Sequence, residues 1–359
     1  MDSITQAVLG AAVGMASAPR LGKRAAMWGA VGGVIPDLDV FAAAPFGPWA
    51  RLEVHRGSSH ALWFGPVVGS LFGYTLWRHW YRKRDPDGLG SREGRRGLVL
   101  ALVLGIFTHP LLDLFTSYGT QLLAPFSRER FVIDGVGIID LFYTVPLAAA
   151  VFWALKLVAR QPHRGARVAR ASLALTTAYV FTGAVLNHRT AARAERELAA
   201  SGVHADVVAY STLLQILLRR VVARSGEEIR VGYATPLRSA PIDWWVFQQS
   251  RHPLVERLRY TPEGQMFEWF AAGQTHGNVE REGREWVVTI DDIRYGLPGH
   301  PETGLWGIRA RYDEQGKMLG SPERFSRERD SMRGLARVFA AALGRDPEVF
   351  HVGSPGAAR

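Results

Sequence analysis

Residues 97–115 read GLVLALVLGIFTHPLLDLF, and this stretch decides the fold. From Gly97 to Phe107 it carries no polar side chain. Its length approaches the roughly 20 apolar residues needed to cross a bilayer as a helix. His109 and Asp113 then enter near its end, four residues apart and therefore on one helical face. Ionisable groups at or near membrane depth are costly and usually serve a function.

Five further apolar runs lie at about 4–18, 25–44, 61–77, 138–157 and 171–187. Several are short for a clean crossing, so tilted, broken or partly inserted helices are expected. The first run is read as a retained helix and not a cleaved signal. Asp2 precedes it without Lys or Arg, and Arg20, Lys23 and Arg24 come after it. Gly10–Gly14 and Gly69–Gly73 are small-xxx-small pairs, and Gly29, Gly32 and Gly33 crowd the second run, a pattern that suits close helix packing.

The links carry the topology. Arg20, Lys23 and Arg24, then Arg78, Arg82, Lys83, Arg84, Arg92, Arg95 and Arg96, then Lys156, Arg160, Arg164, Arg167 and Arg170 fill alternate links; the others hold only Arg51, Arg56, Arg128 and Arg130. Fifteen basic residues against four place the rich links in the cytoplasm. The remaining links and everything after residue 187 then face outward. The net charge of +10 follows this topological pattern, so no nucleic-acid partner is expected. The chain has no cysteine, which excludes disulfides, thiolate zinc sites and thiol nucleophiles.

This topology gathers the polar interruptions. Asp37 and Asp39 end the second run, His55, Arg56 and His60 precede the third, His109 and Asp113 lie late in the fourth, and Asp134 and Asp140 precede the fifth. All fall at one membrane face. Imidazole and carboxylate donors without thiolates suit a catalytic divalent metal site, with zinc first and manganese or iron as alternatives. Carboxylates so close together favour two or more cations between them. Such a cluster activates water and stabilises a phosphoryl transition state, where Arg56 could grip a phosphate oxygen as a fork. Taken singly, each motif has a plainer reading: Pro36-Asp37 as a helix end, Ser58 or Ser59 as a cap, Thr108-His109-Pro110 as a kink with a satisfied imidazole.

The ordered motifs MDSITQ (1–6), IPDLD (35–39), HRGSSH (55–60) and THPLLDLFTSYGT (108–120) resemble the YdjM-like family of membrane-bound, metal-dependent hydrolases. That family looks related to zinc-dependent phospholipase C and the single-strand nucleases. The resemblance covers roughly residues 1–190. It implies Asp37, His55, His60, His109 and Asp113 as metal ligands and Asp39 as ligand or base, with Thr116, Ser117 and Tyr118 shaping the pocket. One departure is clear: Thr5-Gln6 stands where the family usually has threonine and histidine. Gln is a poor ligand, so one metal would be lost or differently held.

Residues 188–200 read as a charged helix leaving the membrane. Beyond them, Ile229–Tyr233, Trp244–Gln248, Trp286–Ile290 and Leu305–Tyr312 read as strands between Gly and Pro clusters, and Leu335–Leu343 as a closing helix. The segments 234–247 and 291–296 resemble the C-terminal part of some family members. Trp244 is read as core and Asp292–Arg294 as a surface pair, with a lid or substrate wall as the alternative.

The expected architecture is therefore a mainly α-helical polytopic membrane domain (1–190, with a phospholipase C/nuclease-like core) and a small soluble α+β domain (191–359). The expected activity is metal-dependent hydrolysis of a phosphoester or similar bond at the cell (inner) membrane, with lipid as neighbour and a small-molecule or lipid-derived substrate. Two rivals remain: a transporter or metal carrier, which needs polar residues across the membrane's depth, and a non-catalytic membrane-anchored interaction protein, which needs no metal.

Overall fold

A computed structural model describes residues 1–158, 160–296, 301–327, 331–345 and 349. The chain divides into two compact units, Met1–Ala184 and Val185–Arg359.

The first unit is helical. It begins with α1 (Ser3–Ser17), α2 (Lys23–Val34), a 3-10 turn at Ile35–Leu38, and the short α3 (Asp39–Ala43) and α4 (Gly47–Val54). A stretch follows in which π-helical turns at Gly65–Gly69 and Trp77–Tyr81 flank α5 (Ser70–Leu76) and lead into α6 (Arg82–Arg84). Then come α7 (Arg92–Asp113), α8 (Leu141–Val158) and α9 (Pro162–Ala200), which runs on into the second unit.

Asp2 caps α1 by accepting from the backbone N–H of Thr5 at 3.0 Å, the role expected of a carboxylate just ahead of a helix. Gly22 (φ 59°) makes the turn to α2. The two helices then pack backbone to backbone. A Cβ at Gly10 would lie 2.2 Å from Gly29 O, and one at Gly33 would lie 2.3 Å from Gln6 O. α7 meets α2 the same way, because a Cβ at Gly105 would lie 2.5 Å from Gly29 O. Gly69 and Gly73 press on Val103 and Val99 of α7. The small-residue pattern is thus a packing device.

Among the described residues, four stretches are long and apolar enough to cross a membrane: Lys23–Val54, Arg92–Asp113, Leu141–Val158 and Pro162–Ala200; Ser3–Ser17 is apolar but shorter. The six sequence runs are therefore not six equivalent crossings. The run at 61–77 alternates π and α turns, with Gly65, Gly69 and Gly73 docked on α7. The run at 25–44 leaves regular α-helix after Val34, where Pro36 lacks the N–H needed to continue it.

In the second unit the C-terminal part of α9 packs Ala191 and Ala194 against Ala209, Val221, Ala234 and Ile242. Two antiparallel sheets follow, β1 (Asp206–Ser211), β2 (Arg219–Ser225), β3 (Glu228–Ala234), β4 (Trp245–Gln248) and β5 (Thr275–Glu282), β6 (Glu285–Asp292), β7 (Trp306–Tyr312), β8 (Glu323–Ser326), each in sequence order. Tight turns at Gly226 and Gly283, both with positive φ, set the β2–β3 and β5–β6 registers. Helices α10 (Pro253–Arg259) and α11 (Pro262–Phe270) separate the sheets in sequence, and α12 (Ser331–Ala342) follows them.

The four expected strands and the closing helix are present, whereas β1, β2, β5, β8, α10 and α11 went unread. In β2, Arg219 and Arg220 are fully buried. Arg220 donates to Ile293 O at 2.8 Å and Tyr233 Oη at 2.6 Å. The surface-pair reading of Asp292–Arg294 is corrected, because both are buried and joined by a fork of 2.9 and 2.7 Å bonds. Trp244 packs, half-buried, on the cluster around Ala194 and Val221, as a core residue would.

Candidate metal centre

The ends of α1, α2 and α7 bring the polar motifs of the first unit together. His109 is fully buried on the last turns of α7, where its Nδ1 lies 2.6 Å from Gly33 O of α2. A carbonyl only accepts, so this bond makes Nδ1 the protonated nitrogen and leaves the Nε2 lone pair outward. His60, also fully buried, is oriented in the same manner: its Nδ1 lies 3.4 Å from Asp39 Oδ2 and 3.0 Å from Ser59 Oγ.

The two Nε2 atoms converge on two carboxylates. His109 Nε2 is 3.3 Å from Asp37 Oδ1 and 3.5 Å from Asp113 Oδ2; His60 Nε2 is 3.7 and 3.4 Å from the same two atoms. Among the described residues, donor atoms of Asp37, His60 and His109 all lie within 4.8 Å of one another. Both Nε2 atoms and Asp113 Oδ2 are buried without a well-formed hydrogen bond. Charge-assisted hydrogen bonds run about 2.7–2.9 Å, whereas ligands about 2.1 Å from a shared ion stand roughly 3.0–3.5 Å apart. The donor set and spacing therefore fit a divalent ion held by Asp37, Asp113, His60 and His109.

The other expected residues surround this cluster. Asp39 accepts from Ser59 Oγ at 2.6 Å and from the backbone N–H of Arg56 at 3.2 Å, and its Oδ1 lies 2.8 Å from His55 Nδ1. His55 is thus paired with Asp39, its ring edge-on to Tyr118 and His60. Arg56 takes φ 61°, in the left-handed region that costs a residue with a side chain about 1–3 kcal/mol. This turn sends its guanidinium inward, with Nε 3.0 Å from Asp113 Oδ2, Nη1 donating to Thr116 Oγ1 at 2.7 Å, and its face 4.5 Å over Tyr118. Thr116 donates onward to Asp113 O at 2.8 Å, and Ser117 donates to Asp134 at 2.6 Å. Asp140 caps α8 through the Tyr143 N–H and accepts from Tyr179.

Sequence reasoning missed three partners. The Met1 ammonium bonds Asp113 Oδ1, Ser3 Oγ donates to Asp37 Oδ2 at 2.6 Å, and Ser59 acts on Asp39 where a helix cap had been the alternative. Only proximity to MDSITQ could have suggested the first two. Gln6 is fully buried and donates to Asp113 Oδ1 at 3.1 Å and His109 O at 3.2 Å, so Gln6 does face the cluster. Burial lowers the Met1 amine pKa against the pull of Asp113. Burial also opposes protonation of His60, but Asp113, Asp37 and Asp39 outweigh it and push its pKa up to about 9.

A helical membrane unit with His and Asp side chains gathered at one end defines the class. The chain matches the model of the YdjM inner membrane protein family over residues 1–190 and belongs to that family. No curated protein and no solved structure matches it.

Proposed function

We propose that this inner membrane protein is a metal-dependent hydrolase of a phosphoester or similar bond, with a helical core like that of zinc-dependent phospholipase C and the single-strand nucleases. The observation that carries the reading is the convergence of donor atoms from the fully buried His60, His109 and Asp113 and the half-buried Asp37, with both histidine Nδ1 atoms already engaged elsewhere. These four residues would hold a divalent ion, most naturally zinc; a second ion would have to draw on Asp39 and His55. When bound, the ion supplies Lewis acidity, which acidifies water and offsets charge on a phosphoryl oxygen.

The chain's own residues do the rest. Asp39 fixes His55 through Nδ1, so His55 Nε2 is the atom that takes a proton from the attacking water. Hydrolysis places the water oxygen on phosphorus, breaks the ester P–O bond and returns that proton to the leaving oxygen. Arg56, buried and stacked on Tyr118, keeps its positive charge where negative charge grows in the transition state. The basic links lie at the cytoplasmic end, and the metal centre and the C-terminal region face outward.

A second reading has one observation in its favour. Met1 and Arg56 already pair with Asp113, so the cluster could be a charge-balanced structural knot in a non-catalytic anchor. Elemental analysis of the detergent-purified protein separates the two. About one or more equivalents of zinc, manganese or iron, together with turnover of a chromogenic phosphodiester, supports the hydrolase. A metal-free, inactive protein supports the anchor.

A further inference from the structure

Asp39 and His55 are 16 residues apart, yet their side chains meet at 2.8 Å. A straight helix would separate them by about 24 Å at 1.5 Å per residue. Lys23–Val54, long and apolar enough to cross a membrane, is therefore not one straight crossing. After α2 the chain goes out along α3, turns at Gly47 (φ 89°) and comes back along α4. Both legs of this hairpin root in the metal centre.

The hairpin from Val40 to Ala50 reads VFAAAPFGPWA, without a charged or hydrogen-bonding side chain except the Trp49 indole. Ala43 and Leu52 are buried against the unit, while Phe41 and Phe46 are 73% and 77% exposed. Beside it stands a second apolar projection, residues 122–126, with Phe126 90% exposed. The two are tied at their bases: Gln121 donates to Glu53 O at 2.9 Å, its N–H donates to Arg56 O at 2.9 Å, and Arg128 pairs with Glu53 at 2.9 Å. Two adjacent projections with phenylalanines at the tips and charges at the roots have the polarity of a bilayer interface, with tails beyond and headgroups behind. A second copy of the chain would not require that charged collar.

We propose that the 40–50 hairpin and the 122–126 loop are seated in lipid at the rim of the metal centre. The centre then opens onto the bilayer interface and takes its phosphoester from an amphiphile whose apolar tail stays among the lipids. The substrate part rests on the hydrolase reading; the seating in lipid does not.

The chain has no cysteine, so Phe46→Cys and Phe126→Cys each create a single thiol for a bimane label, with Tyr260→Cys on the C-terminal region as the water-exposed control. In phosphatidylcholine–phosphatidylglycerol vesicles, both rim labels should be quenched by doxyl lipids at least twofold more than the control, and by aqueous iodide at least twofold less. Iodide quenching equal to the control overturns the seating. So does protection from both quenchers, which indicates a protein covering the rim. The substrate class is read separately, as turnover of a long-chain phosphodiester lipid against its water-soluble headgroup diester. A preference of about tenfold or more for the lipid supports it, and equal rates overturn it while leaving the hydrolase reading standing. Hydrolysis of neither overturns that reading and the substrate class together, whatever the depth measurement gives.

Discussion

His60 and His109 point their Nε2 atoms at the same carboxylate oxygen of Asp113, from 3.4 and 3.5 Å, with their rings edge to face at 4.7 Å. Two buried imidazoles so close are costly unless something positive or a proton lies between lone pairs and carboxylates. Replacing either with Ala should lower bound zinc by orders of magnitude, because a multidentate site loses a ligand. Asp39→Asn, which removes the charge that orients His60, should weaken affinity about 10–100-fold. Titration of the apoprotein with zinc measures both, and unchanged stoichiometry and affinity in His60→Ala and His109→Ala would refute the centre.

Arg56 divides charge from geometry. Its Nε meets Asp113 while Nη1 meets Thr116, and its flat face lies on Tyr118. Lys keeps the charge but loses the fork and the stacking. Arg56→Lys should therefore retain metal while turnover of a phosphodiester falls roughly tenfold to a thousandfold. Full activity at saturating metal would mean that Arg56 serves only as a buried counter-charge.

The end of the first unit away from the metal centre carries the topology. α7 spans about 33 Å from Arg92 to Asp113 at 1.5 Å per residue. Around its basic end Arg20 pairs with Glu93 and Arg24 with Asp85. Reporters fused after Arg84 or Arg164 should read cytoplasmic, and one at the C-terminus should read outward. A cytoplasmic C-terminus would sink the outward placement of the second unit.

Backbone contact between α1 and α2 should be intolerant of a single methyl. A Cβ at Gly14 would lie 2.0 Å from Ala25 O, with backbone on both sides. Gly22, though at φ 59°, has open space around it. Gly14→Ala should cost about 3 kcal/mol of stability and Gly22→Ala about 1 kcal/mol. Thermal unfolding in detergent ranks them, and equal losses would mean that the helices are further apart.

The residues that were legible in the sequence announced themselves by being out of place. Asp37, His60, His109 and Asp113 are polar in apolar surroundings, and the charge bias of the links predicted that they share one face. Orientation was not legible. Nothing in HRGSSH says that His55 turns to Asp39 while His60 turns to Asp113, because that depends on the left-handed turn at Arg56 and on the hairpin from 39 to 54. In the second unit the hydrophobic strands were visible and β2 was not, since its buried arginines find partners far along the chain, such as Ile293 O for Arg220.

The same blindness hid the burial of the Asp292–Arg294 pair, and it leads to a contrast within the second unit. Arg294 donates from Nε and Nη2 to the two carboxylate oxygens, Trp306 Nε1 adds a 3.2 Å bond to Asp292, and the guanidinium lies 5.1 Å from the Phe270 ring. Both residues are buried, and Asp292 raises the Arg294 pKa further despite the opposing effect of burial. Removing one partner strands a charge in a low-dielectric interior, which costs about 3–5 kcal/mol. For a unit of this size Asp292→Asn should lower the unfolding temperature by about 6–20 °C, read from tryptophan fluorescence of the detergent-purified chain. Arg311→Ala, which breaks an exposed network with Glu282 and Glu285, should move it little. The double variant Asp292→Asn, Arg294→Met should recover part of the loss, because no buried charge is left alone. If Asp292→Asn proves as mild as Arg311→Ala, the pair is open to water and the packing around β6 must be looser than described.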